Sequence, residues 1–178
     1  MTRTAYVTGV GVFLPNDPVD NDHIEDVLGK IGGMCSRTKR MILRSNGIKT
    51  RYYAIDPKTH RMTHTNAEIT AEAAKAAARS AGISIHDLEL LCCGTATPDQ
   101  LMPSHASMTH GELKFPPSEI VATAGVCCSG VSALKYAWMS VLSGQTQNAI
   151  ATGSELGSNG LRASYFPTPE RCEKVKKD

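Results

Sequence analysis

Apolar residues along this chain fall either into short unbroken runs or into longer stretches where they recur every three or four positions. The two patterns separate strands from helices. Residues 5–13, 88–94, 120–126 and 149–152 are apolar without polar alternation, which predicts strands buried on both faces. Residues 66–81 are rich in alanine and glutamate, with Asn66 as the expected N-cap and Gly82 as the stop. Residues 103–113 predict a second helix with proline in its first turn. After Gly130, residues Val131, Leu134, Ala137, Trp138, Val141 and Leu142 recur at helical spacing, predicting a helix over 129–143 that buries this face and closes at Gly144. Residues 18–65 are less regular, with short helices expected near 23–28 and 39–45, and read as an excursion over the sheet face that adds a pocket wall. Strand and helix in alternation predict a layered α/β domain with a largely parallel sheet.

Composition narrows the class. The 178 residues carry 19 basic and 17 acidic side chains, a net charge of +2 with no long basic run, so nothing points to nucleic acid. With 41% hydrophobic residues the chain can bury one substantial core, and a single globular unit is expected. Six cysteines, two pairs of them adjacent, do not form the pattern of a secreted disulfide framework and point to a reducing cytoplasm. Residues 1–7 run into strand-like sequence rather than a signal peptide, and no apolar run approaches the roughly 20 residues of a membrane span. Residues 174–178 read as a solvated charged tail.

The chemistry concentrates at Cys128. The strand-like run 120–126 passes through Cys127, Cys128, Ser129 and Gly130 into the helical pattern, which puts a cysteine at a helix start. A thiol so placed faces unpaired backbone N–H groups and the positive end of the helix dipole, an environment suited to a nucleophile. The same run also reads as two small buried apolar side chains, because free cysteine is often buried. Cys92 and Cys93 end an apolar strand and read as core thiols, while Trp138 and Ser154 read as structural. His60 and His64 are four apart, but Pro57 and polar neighbours imply a loop, and no metal is expected there. Gly9-Val10-Gly11 lacks the third glycine of a dinucleotide turn, since Leu14 stands in its place.

Five segments, in order from about residue 5 to 160, resemble the amino-terminal half of the β-ketoacyl-acyl-carrier-protein synthase III group of thiolase-like condensing enzymes. They are Val10-Gly11-Val12-Phe13-Leu14-Pro15, Asn46-Gly47-Ile48-Lys49-Thr50-Arg51, the pair Thr95-Ala96-Thr97-Pro98-Asp99 and Pro103-Ser104-His105-Ala106, Cys127-Cys128-Ser129-Gly130, and Ala151-Thr152-Gly153-Ser154-Glu155. The resemblance implies the first half of a layered αβαβα thiolase-like fold over residues 1–165, with 166–178 as an exposed tail or cleaved loop.

It also implies an acyltransferase in fatty-acid or specialised lipid and polyketide assembly. Cys128 would take an acyl group as a thioester, and a carrier-bound β-carboxy or β-keto thioester would then supply the carbanion of a Claisen condensation. Backbone N–H groups, that of Cys128 among them, would stabilise the tetrahedral oxyanion. Met102 would line the acyl pocket of a dimer partner, and Lys49 and Arg51 would either meet phosphates at the pocket mouth or stand as surface charges. Relatives often carry an adenine-stacking tryptophan where this chain has Met41, which favours a carrier protein or an unusual thioester over coenzyme A as donor. The implied substrates are acyl-CoA or acyl-carrier-protein thioesters, with no separate cofactor. The implied assembly is a homodimer, with the histidine and asparagine of the carboxy-terminal half supplied by a second polypeptide.

Overall fold

The computed structural model describes residues 3–34, 36 and 38–166. The expected tail over 166–178 therefore lies outside the described residues except for Phe166. In chain order the elements are β1 (Val19–Asp20), α1 (Ile24–Leu28), α2 (Lys39–Asn46), β2 (Thr50–Arg51), α3 (Asn66–Ala81), β3 (Leu90–Gly94), α4 (His105–Leu113), β4 (Glu119–Thr123), α5 (Ser129–Ser143) and β5 (Ala149–Gly153). Chain contacts divide them into two compact units: residues up to Leu14 with Thr65–Leu156, and Pro15–His64 with the residues from Gly157 onward.

The first unit is a three-layer sandwich. Its sheet has the order β4-β3-β5, all parallel, with Leu90 opposite Glu119 on one side and Ala149 on the other. Parallel neighbours need a crossover, and α4 and α5 provide them. Leu91, Cys93 and Ile150 meet Ala71, Ala74 and Ala78 of α3 and Ala106 and Leu113 of α4 on one face. Leu90 and Cys92 meet Ala133 and Ala137 of α5 on the other. Leu-Leu-Cys-Cys-Gly is apolar on both pleat directions, which is why β3 is central and wholly buried. Each of its leucines contributes roughly 1.5–3 kcal/mol by leaving water.

Helix α3 has the predicted span, but its N-cap is Thr65 rather than Asn66. Thr65 Oγ1 accepts the Glu68 N–H at 3.2 Å and Glu68 Oε2 accepts the Thr65 N–H at 2.7 Å. This reciprocal box satisfies two otherwise orphaned donors. Thr65→Ala is expected to lower unfolding stability by about 1 kcal/mol, read from urea denaturation; an unchanged midpoint would show that the box contributes nothing. Helix α4 starts after Ser104, whose hydroxyl accepts the Ser107 N–H, so Pro103 precedes the cap instead of occupying the first turn.

Two further expectations are corrected. Residues 5–13 form no ladder with any described strand, and Tyr6, Val7, Val10 and Val12 are exposed. The segment instead backs onto α3 through its glycines: a Cβ at Gly9 would lie 2.6 Å from the Ala81 nitrogen, and one at Gly11 would overlap the Ala77 nitrogen. An apolar run sets a backbone preference but does not supply a partner, and the backbone contact of Gly9 and Gly11 holds this segment against α3 rather than along a sheet edge.

The second correction concerns α5. Its buried positions are Ser129, Ala133, Ala137 and Ser140, while Val131 is 67% and Trp138 50% exposed and Leu134 and Met139 also face outward. Small residues, not the large apolar ones, meet the sheet because the helix crosses it at backbone contact. A Cβ at Gly94 would overlap the Ser129 carbonyl, and one at Gly130 would fall 3.0 Å from Gly153 Cα.

In the second unit β1 and β2 pair antiparallel, with Val19 opposite Arg51. Val27, Tyr53 and Ile55 form its core, with Val19, Leu28 and Met62 packed around them. Among the described residues no helix is long and apolar enough to cross a membrane.

Candidate active site

All three parallel strands end beneath the start of α5. Gly94 closes β3 against the Ser129 backbone, Gly153 closes β5 against Gly130, and Thr123 at the end of β4 donates its hydroxyl to the Ser129 carbonyl at 2.8 Å. The carboxyl ends of parallel strands are where α/β proteins place their sites, because the loops there are free to carry chemistry. Cys128 occupies this place as the N-cap residue of α5 and the last residue of the tight turn Val126–Cys128. Both Cys127 and Cys128 are exposed free thiols, which rules out the reading of this pair as buried apolar side chains. Cys92 and Cys93 are the contrast. Both are core thiols, and burial pushes Cys92 up to about 12 and Cys93 upward as well.

The local geometry departs from the expected helix cap. The Cys128 sulfur makes no cap bond to the helix; its thiol donates to the Gly125 carbonyl at 2.8 Å, and the Cys128 N–H donates to the same oxygen at 3.1 Å. Ser129 anchors the turn from the other side, its hydroxyl donating to the Val126 carbonyl at 2.8 Å.

A polar network braces the loops beside this site, and sequence reasoning missed it. The Asp99 carboxylate accepts the N–H groups of Asn66 and Ala67 at 2.7 and 2.9 Å, placing negative charge at the N-terminus of α3. Asn66 Nδ2 donates to Thr95 Oγ1 and to the Thr97 carbonyl, both at 2.9 Å. Glu155, after β5, accepts the Ala96 N–H at 2.6 Å and the Thr97 hydroxyl at 2.7 Å. Beneath them Thr70 Oγ1 lies 2.7 Å from Ser154 Oγ, and His105 Nε2 lies 3.2 Å from each hydroxyl. Burial holds His105 below its ordinary value. The available signal was positional: each of these polar groups follows or faces the end of a buried strand.

The remaining predicted residues are dispersed. Met102 stands 86% exposed in the loop before α4 of the first unit. Met41, Lys49 and Arg51 belong to the second unit, where Met41 is 68% exposed on α2 and Lys49 is exposed after it. Arg51 is already engaged, donating to Asn21 Oδ1 at 2.7 Å, while Asn21 Nδ2 holds the Ile48 carbonyl. An apolar cavity of about 630 Å³ in this unit is lined by Ile24, Leu28, Ile31, Ile42 and Phe166, with Lys39 and Glu25 paired at 3.2 Å on its wall. Among the described residues no cluster of three or more His, Cys, Asp or Glu side chains is arranged to hold a metal.

A cysteine presented at a helix start over the carboxyl ends of three parallel strands, on a three-layer unit, defines a class. The chain belongs to the thiolase family, matching its N-terminal domain over residues 49–166. Within that family it is 32% identical over 155 residues to the β-ketoacyl-[acyl-carrier-protein] synthase III of Roseobacter denitrificans, covering 87% of this chain and 44% of that protein. It is 27% identical over 159 residues to the corresponding synthase of Clostridium perfringens, covering 89% and 45%. The crystal structure of 3-oxoacyl-[acyl-carrier-protein] synthase III from Aquifex aeolicus superposes with a TM-score of 0.69 at 28% identity, covering 85% of this chain and 45% of that one. A tetronic acid condensing enzyme shares the fold with a TM-score of 0.73. The likeness to the amino-terminal half of the synthase III group and the thiolase-like fold class are thus borne out. This chain spans less than half the length of those relatives.

Proposed function

We propose that this chain is the nucleophile-bearing amino-terminal half of a β-ketoacyl synthase III-like condensing enzyme, working in fatty-acid or specialised lipid and polyketide assembly. The observation that carries the reading is Cys128, an exposed free thiol at the start of α5 above the ends of three parallel strands. Its sulfur attacks the carbonyl of an acyl-CoA or acyl-carrier-protein thioester. The new C–S bond forms, the donor's C–S bond breaks, and the donor thiol leaves carrying the proton. A carrier-bound β-carboxy thioester, by losing carbon dioxide, or a β-keto thioester, by losing its α-proton to a base, then supplies a carbanion; its carbon bonds to the acyl carbon, the acyl C–S bond breaks, and Cys128 leaves as the thiolate. Neither step needs a separate cofactor.

The groups that activate the second substrate lie outside the part of the relatives that this chain spans, and the assembly is a homodimer in the cytoplasm. The outward apolar face of α5 supports a partner that covers it. Met102 lines the acyl pocket of the partner protomer. Met41 stands where adenine would stack and favours a carrier-protein donor, and Lys49 and Arg51 meet the donor's phosphates. A second reading, a pairing half without catalysis of its own, draws on the same uncovered face.

Intact-mass measurement after incubation with acyl thioesters separates the two. The expected result is a mass gain equal to one acyl group that Cys128→Ala abolishes. An unmodified wild-type chain in the presence of its partner would overturn the catalytic reading.

A further inference from the structure

The Gly125 carbonyl oxygen is the common acceptor for both polar hydrogens of Cys128, the amide at 3.1 Å and the thiol at 2.8 Å. An amide so occupied is unavailable to an oxyanion forming on an acyl group at Cys128. The carbonyl is aimed this way because Val126 has φ 52°, the left-handed region that a β-branched residue adopts only under strain. Turning the Gly125–Val126 peptide plane over, by opposite rotations about ψ of Gly125 and φ of Val126, carries Val126 out of positive φ to the negative φ that a residue with a Cβ prefers. It also withdraws the oxygen from both Cys128 hydrogens.

The rest of the turn need not move. Ser129 holds the Val126 carbonyl through its hydroxyl and its N–H, and that carbonyl belongs to the next peptide plane. The Thr123 bond to the Ser129 carbonyl is likewise beyond the rotating plane.

We propose that Val126 is a positioning residue for Cys128, and that the Gly125–Val126 peptide is a two-position element that masks or releases the Cys128 N–H. The strain of Val126 keeps the masked position only marginally favoured, so an acyl thioester entering the site selects the released one. The inference rests on the acyl-transfer reading of Cys128.

Glycine at 126 removes the strain from the masked position and deepens it. On the dimeric protein, Val126→Gly is expected to slow acylation of Cys128 by octanoyl-acyl-carrier-protein about five- to thirtyfold. Alkylation of Cys128 by iodoacetamide, followed by peptide mass so that Cys127 is counted apart, passes through no oxyanion; it feels only the held thiol hydrogen and is expected to slow less than acylation. Val126→Ile, β-branched like the native residue, restores acylation. Wild-type acylation in Val126→Gly, or equal losses in acylation and alkylation, would overturn the proposal. Where wild type takes up no acyl group, the acyl-transfer reading fails, and amide hydrogen exchange at Cys128 decides this one separately. Slower exchange in Val126→Gly than in wild type supports the two-position peptide; equal or faster exchange refutes it.

Discussion

Replacing Gly94 by alanine is expected to cost about 3 kcal/mol or more of unfolding free energy. The added methyl would overlap the Ser129 carbonyl and lie 2.6 Å from the Gly130 nitrogen, and all of these contacts are backbone. A flexible side chain could rotate away, but a helix start can only move as a body. Here it is tied by the Thr123–Ser129 and Ser129–Val126 bonds. Relief therefore requires lifting the first turn of α5 from β3, which opens the packing of Ala133 and Ala137 on Leu90 and Cys92. Gly111→Ala serves as the control, because a Cβ there meets nothing within 4 Å and the site is inside α4. It should be neutral or gain up to about 1 kcal/mol from helix propensity. Urea midpoints of the three proteins measure the effect; a Gly94→Ala midpoint equal to that of wild type would mean that α5 does not touch the sheet backbone.

The second large effect is a pH dependence centred on His105. His105 is 3% exposed, its Nδ1 has no partner among the described residues, and burial lowers its pKa from the ordinary 6.5. As pH falls, the unfolded chain takes up the proton first, so the neutral ring's contribution is complete above 6.5 and is lost as pH drops through the lower folded value. In that window stability should decline with a slope approaching about 1.4 kcal/mol per pH unit. His23 works in the opposite sense: its hydrogen bond to Asp20 raises it, so its contribution is present below 6.5 and fades as pH rises through the raised value. That pair lies at the surface and is screened. Urea unfolding at about pH 7.5 and about pH 5 should show a marked loss in wild type that His105→Phe flattens. An equal loss in both proteins would place the acid sensitivity elsewhere.

How much of this could be seen in the residues alone varied with the kind of contact. Glycines after an apolar period marked the ends of α3 and α5, because Gly82 and Gly144 take up the left-handed closing turn that their positions demand. The unbroken apolar run of β3 marked a strand buried on both faces for the same local reason, whereas the similar runs of β4 and β5, read alike, lie at the sheet's edges and are only half buried. Contacts made across the chain were another matter. Periodicity located an apolar stripe on α5 but not which stripe lies nearer the sheet, and the backbone crossing at Gly94 and Gly153 selected the one made of Ala133 and Ala137. Asp99 and Asn66 lie 33 positions apart, so nothing local links the carboxylate to the helix it caps. The place of Cys128 was legible from a strand giving way to a helix. The occupation of its amide was not, because it depends on the sign of one backbone angle at Val126.

The outward stripe of α5 has a spectroscopic consequence. Trp138 is the only tryptophan in the 178 residues, and it sits half exposed on the outer side of the helix that begins at Cys128. Tryptophan emission from this chain therefore has a single source, without a second fluorophore of its kind to average against. Its wavelength and quenching report the polarity and solvent access of one helix face, in a protein otherwise unlabelled.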